Sequence, residues 1–571
     1  MDQITRQRGI MALIGGLAGV SLYLLGQVLE QGLLPDRAAL ALTAFAAVFF
    51  GALLAMTGPL PVRRAAVGAL GVAMVTAALL LLASLRFADV GDLFGHPAMT
   101  LAALVLATVP LPFIIASHGP GWCNYPALFS ESWTIVVRYA SAWLFVAVVW
   151  AVLFLSDALL AIVGITFIDQ MIEIGLVAFL ITGITLGLAL AVVTELSDLV
   201  SPYLILRLLR LLLPVVLVVM AVFILALPVQ GLSALFGSLS AAGTLLAMAM
   251  AAATLVTTSI DQTDADAAQS TLMARATQAL ALMLPVPAAL AAYAVWLRVD
   301  QHGWTPDRLF AALAALTAFG YGLLYALAVL RGRGWMPRIR QGNVTMALVL
   351  LALSAAWLTP LLNAEAWSAR DQLARYRAGQ VAAADLDTLA LGTWGKPGTA
   401  ALAELALLAR EPGQQALAAM LAREAVSAPG DNAGLLADLR ATLPLQPPDA
   451  GAARDRLLAG FSASEHRYWL DNCSNLLPDG RPGCVMLVAD FWPLLKGDEA
   501  VLITSDTGGY LVFDGLVTVD GQVQRRSVSA LSGLMPTEGV IGDVQKVMPA
   551  LTAAPVNQII IGGESLIIAP Y

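Results

Sequence analysis

The side chains able to do chemistry here are ionisable groups beside long apolar runs, where a charge costs at least about 2.5 kcal/mol at a bilayer centre. Asp157, Asp169 and Glu173 bracket the apolar stretch 158–168 with no basic residue between them. Three such acids could attract a cation or relay protons. The plainer reading is hydrated carboxylates around an interfacial or re-entrant helix too short to span. Glu195 and Asp198 stand three residues apart, as do Arg207 and Arg210, and each pair therefore shares a helix face. Flanking Ser201-Pro202, they could form an interhelical ion-pair latch or a mouth for an ionic substrate. Arginines also anchor spans simply by reaching headgroup water.

Enzymatic constellations are harder to assemble. None of His96, His118, His302 and His466 has a second His or Cys at metal-ligand spacing, so no metal or other cofactor is expected. The loop His118-Gly-Pro-Gly-Trp-Cys123 reads as a turn, since nucleophilic activation requires a spatial pairing that spacing does not show. A phosphate loop of the Walker type is missing: all three lysines lie beyond residue 362. Asp490, Asp498, Glu499 and Asp506 offer oxygen ligands of the kind calcium takes, but Phe491-Trp-Pro-Leu-Leu495 occupies the positions an EF-hand loop would use. They read as acids flanking strands. No catalytic activity is expected.

The elements that must position these groups follow from composition. Of 571 residues, 59% are hydrophobic and 12% charged, about half the charged fraction of a soluble domain. A water-soluble globular protein, a disordered chain, a collagen and a small disulfide scaffold are all excluded. Eleven apolar runs are long enough to span, near 10–28, 38–57, 66–85, 97–117, 137–155, 173–194, 208–228, 239–258, 276–297, 309–330 and 342–361. With a cytoplasmic N-terminus, twelve of the sixteen arginines before residue 363 fall on the inside. An odd number of spans then delivers the C-terminal part to the periplasm of a bacterial inner membrane. Pro110 and Pro112 break the fourth run, and Pro285 and Pro287 the ninth. An inverted repeat would place two breaks so, although kinks of this kind are common in membrane helices. Gly15-Gly16, Gly19, Gly183 and Gly187 have the small-residue spacing that permits close helix packing.

Residues 1–362 carry 16 basic and 16 acidic groups, so the whole net charge of −8 falls on 363–571. An acidic domain is a poor partner for nucleic acid. Amphipathic periodicity predicts short helices at 364–377, 398–410, 412–427, 431–441 and 451–460. Beyond about 465, Val485–Val488, Ala500–Thr504, Tyr510–Phe513 and Leu516–Val519 read as strands. Asp514-Gly515, Asp520-Gly521 and Gly562-Gly563 are expected to form hairpin turns. Cys473 and Cys484, with ten residues between them in a turn-rich stretch, are expected to form a disulfide outside the cell interior.

Three stretches carry a resemblance to a known family. They are the loop His302-Gly-Trp-Thr-Pro-Asp-Arg308, the segment 153–165, and the helix 369–380 with Asp385 and Asp387 after it. Each resembles a feature of the bacterial polytopic membrane family called domain of unknown function 4153. The resemblance implies a bacterial inner-membrane protein and brings no established activity or site residues. The expected fold is an all-α polytopic membrane bundle with a C-terminal extramembrane α+β domain. Its expected parts are a transmembrane domain over 1–362, a helical subdomain over 363–463, and a small antiparallel β or α+β subdomain over 464–571. The leading functional expectation is a non-enzymatic envelope sensor, scaffold or docking protein, embedded in the lipid bilayer and meeting an envelope protein through 363–571. The alternative is a secondary transporter or channel for an ion or small solute.

Overall fold

Among the described residues of the computed structural model, eleven helices are long and apolar enough to cross a membrane. They are Ile4–Leu29, Asp36–Met56, Val62–Ser84, Pro97–Ser117, Tyr125–Ile162, Gly175–Glu195, Ile205–Ala226, Ala242–Ile260, Thr271–His302, Pro306–Leu330 and Trp335–Leu358, called here the first to the eleventh span. The protein is a multi-pass membrane protein. The structure describes all residues except 1–2, 31–32, 166, 196–201, 231–240, 427–431, 478, 492–496, 506–510, 520–521, 531–539, 553–557, 562–563 and 569–571.

Local sequence explains where the spans begin and end. Asn124 caps the fifth by accepting from the Ala127 amide at 3.1 Å, and Thr305 caps the tenth by accepting from Arg308 at 3.2 Å. Proline at the first or second helical position assists both. Gly303, at φ +74°, ends the ninth span, a conformation that side-chain-bearing residues rarely adopt. The fourth and ninth spans are interrupted where the prolines predict, one helix stopping at Thr108 and the next starting at Pro110, one stopping at Met283 and the next starting at Pro285. Gly322 of the tenth span lets the second break approach, because a side-chain carbon there would lie 2.9 Å from the Pro285 backbone.

The chain divides into two compact units, Met1–Leu407 and Leu408–Tyr571. The first is therefore longer than the span set: residues 363–407, expected with the extramembrane part, belong with the spans. Within it, Met11, Leu53, Ala69, Leu111, Ala142 and Leu190 belong to a core shared by spans one to six. Leu213, Val256, Ala281, Tyr325 and Ile339 belong to a core shared by spans seven to eleven. A third cluster, with Phe87, Met99, Leu309 and Trp357, joins the two groups at the end of the bundle opposite the N-terminus. The glycine spacing found in sequence is the contact between the first and sixth spans. A side-chain carbon on Gly15 would overlap the Gly183 carbonyl, one on Gly183 the Gly15 carbonyl, and one on Gly187 the Met11 carbonyl. The backbones touch because nothing stands between them.

The second unit carries an eight-stranded sheet: β1 (Leu445–Gln446), β2 (Cys484–Val488), β3 (Glu499–Ser505), β4 (Leu511–Val519), β5 (Gln522–Ala530), β6 (Leu551–Thr552), β7 (Gln558–Ile561) and β8 (Glu564–Ile568). The order is β1-β2-β3-β4-β5-β8-β7-β6. β1 runs parallel to β2 and every other pair is antiparallel, so the sheet is mixed rather than wholly antiparallel. Alternation buries both faces. Val485, Leu487, Val501 and Ile503 pack with Ile541 and Val544, whereas Met486, Leu502 and Leu516 pack with Leu439, Leu457 and Trp469. The latter cluster unites helices before 463 with strands after 464, so these form one unit and not two subdomains. Cys473 and Cys484 are bonded, tying the helix Ala463–Cys473 to β2.

Two local readings change. Asp514-Gly515 lies inside β4 rather than at a turn: Asp514 is buried, accepting from Trp469 Nε1 at 2.9 Å and from Arg525 Nε at 2.7 Å. Tertiary partners override the turn preference of the dipeptide. The helix Ala463–Cys473 was not expected, the helical reading having ended at 460; Ser462 and Glu465 open it with a capping box. Val519 pairs with Gln522 and Ile561 with Glu564, and the expected turn dipeptides Asp520-Gly521 and Gly562-Gly563 lie outside the described residues.

Replacing Gly183 with Leu is expected to part the first and sixth spans. Cysteine pairs introduced at Ala12 and Leu186 for crosslinking would then lose their reaction in the variant, and undiminished crosslinking would contradict the packing.

Candidate functional site: buried arginines and a cavity in the membrane unit

The last turn of a helix leaves carbonyls without amide partners, and its dipole makes that end negative. In this bundle, arginines from other elements supply the missing donors. At the end carrying the N-terminus, Arg138 of the fifth span is buried and donates to the Ala55 and Thr57 carbonyls, which close the second span, at 3.4 and 3.2 Å. Arg210 of the seventh donates to the Thr258 carbonyl at 2.8 Å and pairs with Asp261, just past the eighth. Arg340 of the eleventh donates to the Ile260 and Asp261 carbonyls at 2.5 and 3.0 Å and to Asp264 Oδ1 at 2.5 Å. Asp261 is 2% exposed and sits at φ +50°, which Asp tolerates better than most residues. That backbone lets one residue offer its carboxylate to Arg210 and its carbonyl to Arg340.

The opposite end repeats the arrangement. Arg86, after the third span, donates to the Trp357 and Thr359 carbonyls at 2.7 and 2.5 Å and pairs with Glu365 at 3.0 Å, with side-chain exposures of 6% and 1%. Arg375 donates to the Asp300 and Gln301 carbonyls, and Gln372 to those of His302 and Trp304. Asp371 accepts from the Trp304 amide at 2.7 Å. A side-chain carbon on Gly303 would press on Asp371, Gln372 and Arg375 within 2.8 Å, so the loop 302–308 and the helix Ala364–Arg377 are cut to fit each other. Lys396 extends the clasp by donating from its backbone amide to the Arg86 carbonyl and from Nζ to the Leu85 carbonyl.

Between the two span groups lies a cavity of about 940 Å³. The fourth and fifth spans form one wall, and the eighth, tenth and eleventh the other. Its lining is mainly Leu, Val, Ala and Phe. At the N-terminal end a hydrogen-bonded group crosses the seam: Asn343 Nδ2 donates to Tyr125 Oη at 3.2 Å, Tyr325 Oη donates to Asn343 Oδ1 at 2.5 Å, and Thr257 Oγ1 lies 2.8 Å from Tyr325 Oη. A second cavity of about 720 Å³ lies beyond Tyr125 and Val344, which line both. Its walls are mixed, with Pro126, Pro337 and Leu348 beside Cys123, Gln262, Gln341 and the paired Asp264 and Arg340.

The acids singled out in the sequence do not meet. Asp157 lies in the last turns of the fifth-span helix, which runs 38 residues, or about 57 Å, and takes in the stretch 158–168 as far as Ile162. Its Oδ1 is buried without a hydrogen bond among the described residues. Asp169 is exposed, and Glu173 ends the short helix Phe167–Glu173, its side chain lying outside the described set. Glu195 stands at the opposite end of the bundle and pairs with Arg8, not with the seventh span. Asp198 lies outside the described residues. Arg207 donates to Tyr203 on its own helix and lies 4.2 Å from that ring, whereas Arg210 turns to Asp261. Glu195 and Arg210 therefore each find other partners than the expected latch. None of Asp157, Asp169, Glu195, Arg207 and Arg210 lines either cavity. Only the first proline break does, through Val109 and Pro112.

Sequence reasoning passed over Asp261, Asp264, Arg340, Tyr125, Tyr325 and Asn343. The signal was an acidic loop, Asp261 to Asp266, at the same end of the bundle as Arg210 and Arg340. In the second unit, Asp498 accepts from Arg456 at 2.5 and 3.0 Å, which holds its carboxyl below the usual range. Glu499 accepts from the Phe491 amide at 2.6 Å, and Asp506 lies outside the described residues. Among the described residues no group of three or more His, Cys, Asp or Glu is placed to hold a metal.

A family model described as a domain of unknown function (DUF4153) matches residues 38–405. The chain belongs to that family. No curated protein and no solved structure matches it. The match stops at the edge of the membrane unit, so in this chain the family's module takes in the clasp of 363–405 as well as ten of the eleven spans.

Replacing Glu365 with Gln leaves Arg86 buried and uncompensated, at a cost of about 3–5 kcal/mol. Thermal unfolding of the detergent-solubilised protein is expected to shift down accordingly, and the double variant Arg86→Met/Glu365→Leu to recover part of the loss. A single variant as stable as the native chain would contradict the role given to this pair.

Proposed function

We propose that the protein is a non-enzymatic component of a bacterial inner membrane, with a cytoplasmic N-terminus and residues 408–571 in the periplasm, where that unit senses, scaffolds or docks an envelope partner. The observation that carries this reading is a folded unit with a two-faced core and a disulfide, appended after an odd number of spans. Disulfides persist outside the cytosol, and the arginine distribution favours the same orientation. The membrane unit adds support: the buried Arg86 and Arg340 and the partly buried Arg210 are each neutralised in place, so they are not left free to relay ions.

A secondary transporter or channel is the second reading, and one observation favours it: the broken fourth span lines the large cavity. Flux of protons or solutes in proteoliposomes, sensitive to Asp157→Asn or Glu195→Gln, would establish it over the first.

The leading reading predicts that a fluorescent reporter active only in the cytosol works at the N-terminus and a phosphatase active only in the periplasm works at the C-terminus. Deletion of 408–571 is expected to reproduce the phenotype of losing the whole chain. An inactive phosphatase, or a truncated chain that sustains every phenotype, sinks the proposal.

A further inference from the structure

Beyond that role, we propose that the cavity between the two span groups holds one glycerolipid taken from the bilayer. Its acyl chain lies along the cavity, and an ester carbonyl accepts hydrogen bonds from Ser354 and Trp357 at the end opposite the N-terminus. The site selects a neutral acceptor on a long hydrocarbon, and the head group beyond the esters stays outside.

The wall of the cavity calls for hydrocarbon. No charged side chain is among the residues that line it. Leu101, Val136 and Met250 stand on the wall and are exposed, left for an apolar neighbour to cover. Four lining hydroxyls, on Thr108, Ser132, Thr254 and Thr317, each donate to the carbonyl four residues earlier on their own helix. Thr257, Tyr325 and Asn343 bond to one another. The cavity also has the right extent. From Asn343 to Trp357 the eleventh span contributes lining residues over about 21 Å of helix, along the direction in which lipid chains run.

Ser354 and Trp357 break this pattern. They stand three residues apart on the eleventh span, share a face, and both line the cavity. They are 8% and 4% exposed. The Trp357 Nε1 is buried with no acceptor among the described residues, and the Ser354 hydroxyl, unlike the four above, bonds to none of them. The Phe310 ring packs on Trp357, a contact that replaces a hydrogen bond only weakly. Two donors without acceptors at one end of an apolar slot select among occupants. A carbonyl oxygen can accept from both and has no proton of its own to place. A water would bring two protons to a wall of Leu101, Phe310, Leu313 and Leu353. A carboxylate would find no free cation, because Arg86, which holds the Trp357 carbonyl, is already paired with Glu365. Depth agrees. Trp357 is the last residue but one of its span, where hydrocarbon gives way to the interface and a glycerolipid carries its esters.

Native mass spectrometry of the full chain in mild detergent tests this. The protein is expected to retain a single diacyl lipid and, once stripped by detergent exchange, to rebind dioleoylglycerol and dioleoylphosphatidylcholine with equal affinity. Trp357→Phe keeps a ring in place and removes the donor, and is expected to weaken binding about fivefold, the share of one neutral hydrogen bond. Ala347→Phe and the smaller Ala318→Leu fill the slot and are expected to abolish binding, with thermal unfolding of the lipid-free variants showing which of them keep the fold. A native chain that neither retains nor rebinds a diacyl lipid overturns the proposal, as does binding unchanged by Trp357→Phe and by whichever filling folds. Tighter binding of an isoprenoid quinone than of dioleoylglycerol would give the same donors to a redox ligand, and a marked preference for phosphatidic acid would show an anion site; either result overturns the proposal equally.

Discussion

A cation at the edge of hydrocarbon has to be neutralised where it stands, and the carbonyls at the end of a helix have to find donors; in this bundle each requirement answers the other. Arg138, Arg210, Arg340 and Arg86 close the second, eighth and eleventh spans from outside. Such a bond is charge-assisted, favoured by the dipole, and formed where water is scarce. It also fixes register. A span whose last carbonyls are held by a neighbour's guanidinium cannot slide along it without leaving both groups unpaired, and that penalty exceeds what any single apolar contact supplies.

The consequence reaches past the last span. Arg86 accounts for the Trp357 and Thr359 carbonyls, but its charge is balanced only by Glu365, which lies beyond the hydrophobic run. The helix carrying Glu365 then presents Asp371, Gln372 and Arg375 to the end of the ninth span. Residues 363–407 are thus part of the membrane unit for an electrostatic reason, and hydropathy alone cannot see it. The family match, running to residue 405, follows the same physical boundary.

What the sequence made legible is what has a period. Bilayer thickness sets span length, so the eleven runs were visible; alternation exposed β2, β3 and the two ends of β4; cysteine spacing exposed the Cys473–Cys484 bond. Partnership has no period. Glu195 stood near Arg207 and Arg210 in the chain, yet its partner is Arg8, 187 residues away in sequence. Asp514-Gly515 has the composition of a turn, and two long-range bonds to its carboxylate make it a strand. The acidic loop at 261–266 was readable as composition, but its meaning depends on two arginines from different spans.

Packing along the seam differs from packing elsewhere in a way that bears on ligand binding. Where the first and sixth spans meet, glycine is used to bring backbones into contact, and no space is left. Where spans four and five face spans eight, ten and eleven, the small residues are alanines, among them Ala102, Ala253, Ala318 and Ala347, and they border a void. Interiors ordinarily pack to crystal density, and a leucine at two or three of these positions would fill the gap with dispersion contacts now forgone. Each span group has a core of its own, and the two are joined at the end opposite the N-terminus by the cluster of Phe87, Met99, Leu309 and Trp357 and by Arg86, which reaches the Trp357 carbonyl and Glu365. The seam is consequently pinned at both ends around the void, the Tyr125–Asn343 bond being a polar tie at the end that carries the N-terminus.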